Sequence, residues 1–182
     1  MIDTHSHLFV EEFDEDLPAV IERARDSGVS KVFMPNIDDT TVEAMLNVCT
    51  AYKGYCFPMI GFHPTFVGAD SLFRIYEMKK LLSGEHPFVA VGEVGMDLYW
   101  DKTYLKEQQK ALDIQIQWAL EYHLPLVLHC REAFPELFEV MEPYKKTELS
   151  GIFHSFTGTL EEAGQVLEYA RFFFGINGVV TF

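Results

Sequence analysis

Short apolar runs alternate with longer segments of helical periodicity along the whole chain, and this alternation constrains the fold more than any other feature. The runs have the length and the β-branched or aromatic content of strands. They cover residues 1–5, 31–35, 56–61, 88–93, 125–129, 151–154 and 172–175. Several are apolar throughout, which is typical of a parallel sheet that is buried on both faces. The sequence therefore predicts an α/β protein with a parallel sheet covered by helices.

The segments between these runs carry signals for the start and the end of helices. The first predicted helix follows the acidic residues 14–16, and Gly28 is suited to its C-terminal end. The longest predicted helix covers about residues 103–122 and has an apolar stripe at helical spacing. Shorter helices are predicted to follow Asp39 or Thr40, Asp70 or Ser71, Arg131, and Thr159.

Seven strand–helix units without a long linker indicate most of a TIM-type (β/α)8 barrel. The alternative is an open doubly wound sheet, which usually has a glycine-rich turn after its first strand. The loop after His7 contains no glycine, so we favour the barrel. We expect residues 1–182 to form a single domain. Because such barrels typically have about 250 residues, we also expect the C-terminal strand and helix to be missing.

Charge and composition exclude several classes of protein. The net charge of −14, from 28 acidic and 14 basic residues, argues against a basic surface that grips long nucleic acid. No segment reaches the ~18 apolar residues of a membrane helix, and the N-terminus lacks the basic start of a signal peptide. The three cysteines have no C-x-x-C spacing, which is typical of reduced thiols. We expect a cytoplasmic protein without a membrane partner.

Residues able to bind metal stand at the ends of the predicted strands. His5 and His7 are two apart in an extended segment, so their side chains point to the same side. Further candidates end or follow later strands: His63, Glu93, His129 and His154. In a barrel these strand ends meet at one rim. Each residue alone could be structural, as a histidine that caps a carbonyl or a solvated turn glutamate, but together they favour a site for Zn²⁺, Mn²⁺, Fe²⁺ or Co²⁺.

Five motifs, in order along the chain, carry a family resemblance. They are IDTHSH at residues 2–7, GFHP at 61–64, GEVGMD at 92–97, LHCREA at 128–133 and FHSFTG at 153–158. This combination resembles the TatD family of metal-dependent deoxyribonucleases, which is similar to the wider amidohydrolase group of barrel metalloenzymes.

The resemblance implies a two-metal hydrolase of phosphodiester bonds that activates water and acts on DNA ends or short single strands. It implies that His5 and His7 hold one divalent ion, that His129 and His154 hold the other, and that Glu93 bridges them. The ions could be Zn, Mn, Mg, Fe or Co. It also makes His63 and Arg131 candidates for the substrate phosphate, with Asp97, Tyr99 and Trp100 in the loop above the metals.

The sequence departs from the family pattern at its C-terminus. Family members usually continue into an eighth strand whose aspartate completes the first metal site, whereas this sequence stops after Val180, Thr181 and Phe182. Two alternatives to a nuclease therefore stay open. One is an amidohydrolase-type enzyme acting on an amide, an ester or a small phosphoester, because the metal core does not define the bond that is cleaved. The other is a metal-binding protein with impaired catalysis.

Overall fold

The computed structural model describes residues 1–181, in which seven parallel strands follow one another in chain order. The strands are β1 (Ile2–Asp3), β2 (Lys31–Met34), β3 (Cys56–Pro58), β4 (Val91–Asp97), β5 (Leu126–Arg131), β6 (Gly151–Phe153) and β7 (Phe172–Phe174). Strands β1 to β3 form one sheet and β4 to β7 a second one. A parallel bridge between Ile60 and Val91 joins the two sheets, so the strand order is continuous.

A helix or helical turn follows each of the first six strands and leads the chain to the next. The helices are α1 (Leu17–Asp26), α2 (Val42–Ala51), α3 (Ser71–Met78), α4 (Leu105–Glu121), α5 (Phe134–Met141) and α6 (Leu160–Leu167). Gly28 follows α1 with a φ of +84°, and Thr159 begins α6 with a capping box to Glu162, as their positions indicated. The α/β fold of TIM-barrel type is thus confirmed.

Several predicted strand boundaries were wrong. β1 and β3 end earlier than predicted, at Asp3 and Pro58, and two strands that bear site residues end later. β4 was expected over residues 88–93 but covers Val91–Asp97, and β5 runs on to Arg131 instead of ending at His129. The glycines in residues 92–95 suggested a turn, yet the strand continues through them, and its neighbours approach too closely there for side chains. A Cβ on Gly92 would lie 2.6 Å from the Cβ of Val127. Glu93 and His129 therefore lie inside strands rather than at their ends.

The core lies between the strands and the helices, and α4 contributes several of its most deeply buried side chains. Trp118, Leu112 and Ile116 are almost completely buried. Two glutamines of the same helix are also buried and bind backbone rather than solvent. Gln115 accepts a hydrogen bond from the N–H of Phe62 (2.7 Å), and Gln108 accepts one from the N–H of Asp97 (2.9 Å). These hydrogen bonds connect α4 to the two segments that contain Phe62 and Asp97, which lie next to site residues in the chain.

The three cysteines are buried and free, as their spacing indicated. None of the helices within residues 1–181 combines the length and the apolar character that crossing a bilayer requires.

Candidate metal centre

Five histidines and one glutamate meet at the carboxyl end of the strands. His5 and His7 follow β1, His63 follows β3, and His154 follows β6, whereas Glu93 and His129 lie within β4 and β5. We call this group the candidate metal centre: His5, His7, His63, Glu93, His129 and His154. The structure therefore brings every histidine and the glutamate that were predicted for the site into one cluster.

The carboxylate of Glu93 lies at the middle of this centre and is only 3% exposed. Its Oε2 is 3.0 Å from Nε2 of His5 and 3.5 Å from Nε2 of His7. Its Oε1 is 3.1 Å from Nδ1 of His129 and 3.7 Å from Nε2 of His63. One carboxylate thus faces two sets of imidazoles with its two oxygens, which is the arrangement that a bridging ligand requires.

Two sets of three residues bring ligand atoms within 4.8 Å of one another. The first set is His5, Glu93 and His154, and the second is His63, Glu93 and His129. This grouping differs from the predicted pairing of His129 with His154. It also includes His63, which the sequence assigned to the substrate. The role of each individual ligand stays a prediction.

The charges in the centre depend on a balance between burial and hydrogen bonding. Burial alone would raise the pKa of Glu93, but hydrogen bonds from His129, His5 and other histidines outweigh it and hold the pKa well below its usual value. Burial would likewise lower the pKa of His129, but its bonds to Asp97 and Glu93 raise it to about 9. Burial, assisted by nearby His5, lowers the pKa of His154 to about 4. Glu93 is therefore ionised, and His154 is neutral and free to act as a ligand.

The geometry around His5 fits a cation. The Nε2 atoms of His5 and His7 are 3.2 Å apart, so a proton or a cation must lie between two nitrogens that would otherwise both present lone pairs. The His5 ring stacks on His154 with 3.4 Å between ring centroids. Within residues 1–181 the buried Nδ1 atoms of His5 and His7 have no hydrogen-bond partner. Imidazoles gathered around a single carboxylate suit Zn²⁺ and similar ions better than Mg²⁺, which prefers oxygen ligands.

Arg131, at the end of β5, lies beside the centre against two aromatic rings. Its guanidinium carbon is 3.6 Å from the ring centroid of Tyr99 and 5.4 Å from that of Trp100. Arg131, Tyr99 and Trp100 are all exposed. His129 and Arg131 are two apart in one strand, so both side chains point to the same side of the sheet. A cation held over aromatic rings at this rim can receive a phosphate or a base.

Asp97 is a contact residue of the centre that sequence reasoning assigned only to the loop. Its Oδ2 is 2.8 Å from Nε2 of His129. Asp97 lies four residues after Glu93 in one strand, so alternation places both carboxylates on the same face. Because the strand was predicted to end at residue 93, Asp97 was not predicted to lie on the same face of β4 as Glu93.

Three comparisons place the chain among known proteins. The sequence model of the family described as "TatD related DNase" matches residues 2–182. A relative from Bacillus subtilis (strain 168), named "Uncharacterized metal-dependent hydrolase YabD", is 32% identical over 182 residues, which are 100% of this chain and 70% of the relative. A second relative, "3'-5' ssDNA/RNA exonuclease TatD" from Pantoea sp. (strain At-9b), is 32% identical over 162 residues. That match covers 89% of this chain and 62% of the relative.

A solved structure shares the fold along the whole chain. It is YjjV, a TatD homologue from Escherichia coli K12, with a TM-score of 0.86 and 28% sequence identity. The match covers 100% of this chain and 70% of YjjV. The chain thus spans between 62% and 70% of the length of these relatives.

Proposed function

Because this chain belongs to the family of TatD-related DNases, we propose that it is a metal-dependent hydrolase of phosphodiester bonds in DNA. The observation that carries the proposal is the position of Glu93, whose two carboxylate oxygens face different histidines at 3.0 Å and 3.1 Å. This arrangement supports two divalent ions that share one carboxylate. A relative named as an exonuclease of single-stranded DNA and RNA supports nucleic acid as the substrate.

The residues of the chain have distinct parts in this proposal. Bound divalent ions would supply an activated water molecule and would neutralise charge on the phosphate. Glu93 would be shared between the two ions, and His5, His7, His63, His129 and His154 would provide the remaining ligands. The exposed guanidinium of Arg131 offers a planar pair of donors for a phosphate oxygen. Trp100, which is 71% exposed beside Arg131, offers a ring on which a terminal base can stack.

The proposal is tested by comparing substrates side by side with the metal-loaded protein. We expect cleavage of single-stranded DNA carrying a label at either end, with products that show whether cleavage starts from the 3′ or the 5′ end. Ester, amide and small phosphoester substrates serve as the comparison. Turnover of these compounds with none on DNA would establish the amidohydrolase-type alternative. Metal binding without turnover of any substrate would establish the other alternative, a metal-binding protein with impaired catalysis.

Metal content provides an independent prediction. We expect two ions per chain by elemental analysis after Zn²⁺ loading and gel filtration. His5→Ala and His129→Ala should each lower the content by about one ion, because the two histidines contact different oxygens of Glu93. His123→Asn is the matched control, since this histidine lies outside the centre with a φ of +54°, which asparagine tolerates. An equal loss of metal in all three variants would contradict the assignment of His5 and His129 to two different ions.

Salt dependence tests how the protein meets nucleic acid. With a net charge of −14, few phosphates can be neutralised by side chains, so we expect substrate affinity to depend weakly on salt. Each neutralised phosphate of a single strand contributes about −0.7 to the log–log slope, and two contacts would give about −1.4. The measurement is the affinity of a short single strand at several salt concentrations with metal saturating. A slope steeper than about −4 would require a basic face and would contradict this expectation.

A further inference from the structure

Asp97 holds one ring of the candidate metal centre from outside it. The carboxylate is 2% exposed, and its Oδ2 lies 2.8 Å from Nε2 of His129. The other ring nitrogen, Nδ1, lies 3.1 Å from Oε1 of Glu93, inside the centre. The imidazole of His129 thus spans the distance between two carboxylates, one central and one peripheral.

The direction of the peripheral hydrogen bond determines which nitrogen can bind a metal. An ionised carboxylate only accepts hydrogen bonds, so Nε2 of His129 must carry the hydrogen that it donates to Asp97. Nδ1 is then the nitrogen whose lone pair is available once a cation replaces its proton. It is also the nitrogen that faces Glu93.

The carboxylate of Asp97 is itself fixed on its other side. Its Oδ1 accepts hydrogen bonds from the backbone N–H groups of Tyr99 (3.0 Å) and Trp100 (3.5 Å). The backbone of Asp97 is held as well, because its N–H donates to Gln108 and its C=O accepts from the same side chain (3.0 Å). Neither oxygen can leave its place without breaking a hydrogen bond in a buried environment.

We propose that Asp97 is a positioning residue that keeps the hydrogen of His129 on Nε2, so that His129 binds a divalent metal through Nδ1. The proposal rests on the metal centre of the proposed function and is independent of the substrate. A histidine ligand oriented by a carboxylate typically loses metal affinity by a factor of about 10 to 100 when that carboxylate is removed.

The informative substitution is Asp97→Asn, which keeps the shape of the side chain. The N–H of Tyr99 still needs an acceptor, so the amide oxygen takes that side and the NH2 group faces Nε2 of His129. Two donors would then face each other unless the ring carries its hydrogen on Nδ1, the nitrogen that the metal needs. We therefore expect the affinity for Zn²⁺, measured by competition with a chelating dye, to fall by roughly 10- to 100-fold.

Two further variants make the result specific. Asp101→Asn removes a carboxylate from the same loop, where Asp101 accepts a hydrogen bond from the N–H of Thr103, and it should leave Zn²⁺ affinity unchanged. In a His129→Ala background, Asp97→Asn should cause no further loss, because its effect acts through that ring. Wild-type affinity in Asp97→Asn, or a full additional loss in the double variant, would overturn the proposal.

Nitrogen-15 spectra of the Zn²⁺-loaded wild-type protein provide a readout that needs no folded variant. We expect the shifts of His129 to identify Nδ1 as the metal-bound nitrogen and Nε2 as the one carrying hydrogen. Metal bound at Nε2 would refute the proposal. A protein that meets these expectations but cleaves no nucleic acid would contradict the proposed function alone.

Discussion

The Glu93→Gln variant is expected to lose roughly 10³-fold or more of its activity, which is the largest catalytic effect that we expect from any single substitution. The amide keeps the shape of the side chain but removes the negative charge that both sets of histidines face. Its NH2 group would also point a donor at one set, where a metal needs a lone pair. The measurement is the turnover rate on labelled single-stranded DNA, with metal content determined on the same samples.

Two variants serve as controls for this loss. Glu132→Gln removes the same charge from an exposed position just after β5 and should retain nearly full activity. His63→Ala should cost less than Glu93→Gln, because Nε2 of His63 lies 3.7 Å from only one of the two carboxylate oxygens. Equal losses in His63→Ala and Glu93→Gln at matched metal occupancy would contradict a bridging role unique to Glu93.

Gly95→Ala is expected to have the largest effect on stability. Gly95 has a φ of +144°, which side chains rarely adopt, and an added Cβ would collide with the backbone carbonyl of His129, whose carbon would be 2.9 Å away. Because β4 and β5 pair at this point, the collision cannot be relieved without separating the strands. We expect the free energy of unfolding, measured by denaturant titration, to fall by about 4 kcal/mol.

Gly164 provides the matched control for that substitution. It lies within α6, and a Cβ placed there would have no atom within 4 Å. Gly164→Ala should therefore stabilise the protein by about 0.5–1 kcal/mol, because alanine favours a helix over glycine. If Gly95→Ala lowered the free energy of unfolding by no more than the size of the change in Gly164→Ala, β4 and β5 could separate at this point at little energetic cost.

The order of the strands could be predicted from sequence because it depends on a coarse pattern. Apolar runs such as residues 125–129 and 151–154 stand between helical segments, and consecutive parallel strands in a barrel leave little freedom in how they are arranged. The same logic placed His5, His129 and His154 at one rim. These predictions needed only the fact that parallel strands end at the same side of the sheet, and they did not need the positions of side-chain atoms.

The grouping of the ligands could not be predicted in this way. It depends on which oxygen of Glu93 each ring faces, and a pattern of residue types does not determine such distances. The register between β4 and β5, on which the approach of His129 to Glu93 depends, shifts between Val91 and Val94. The role of Asp97 was missed for a related reason. Two glycines beside Glu93 resemble a turn, and only the close approach of neighbouring backbone shows that they allow the strand to continue.

Helix α4 shows why a hydrophobic pattern alone would not rebuild this protein. A designer who replaced it with an idealised amphipathic helix would place leucine at positions 108 and 115, since both face the interior. The backbone N–H groups of Phe62 and Asp97 would then have no acceptor, although the helix and its packing would look sound. Any redesign of this helix, or its transfer to another protein, must therefore retain the side-chain amides of Gln108 and Gln115. A choice of residues for hydrophobic packing alone would remove them.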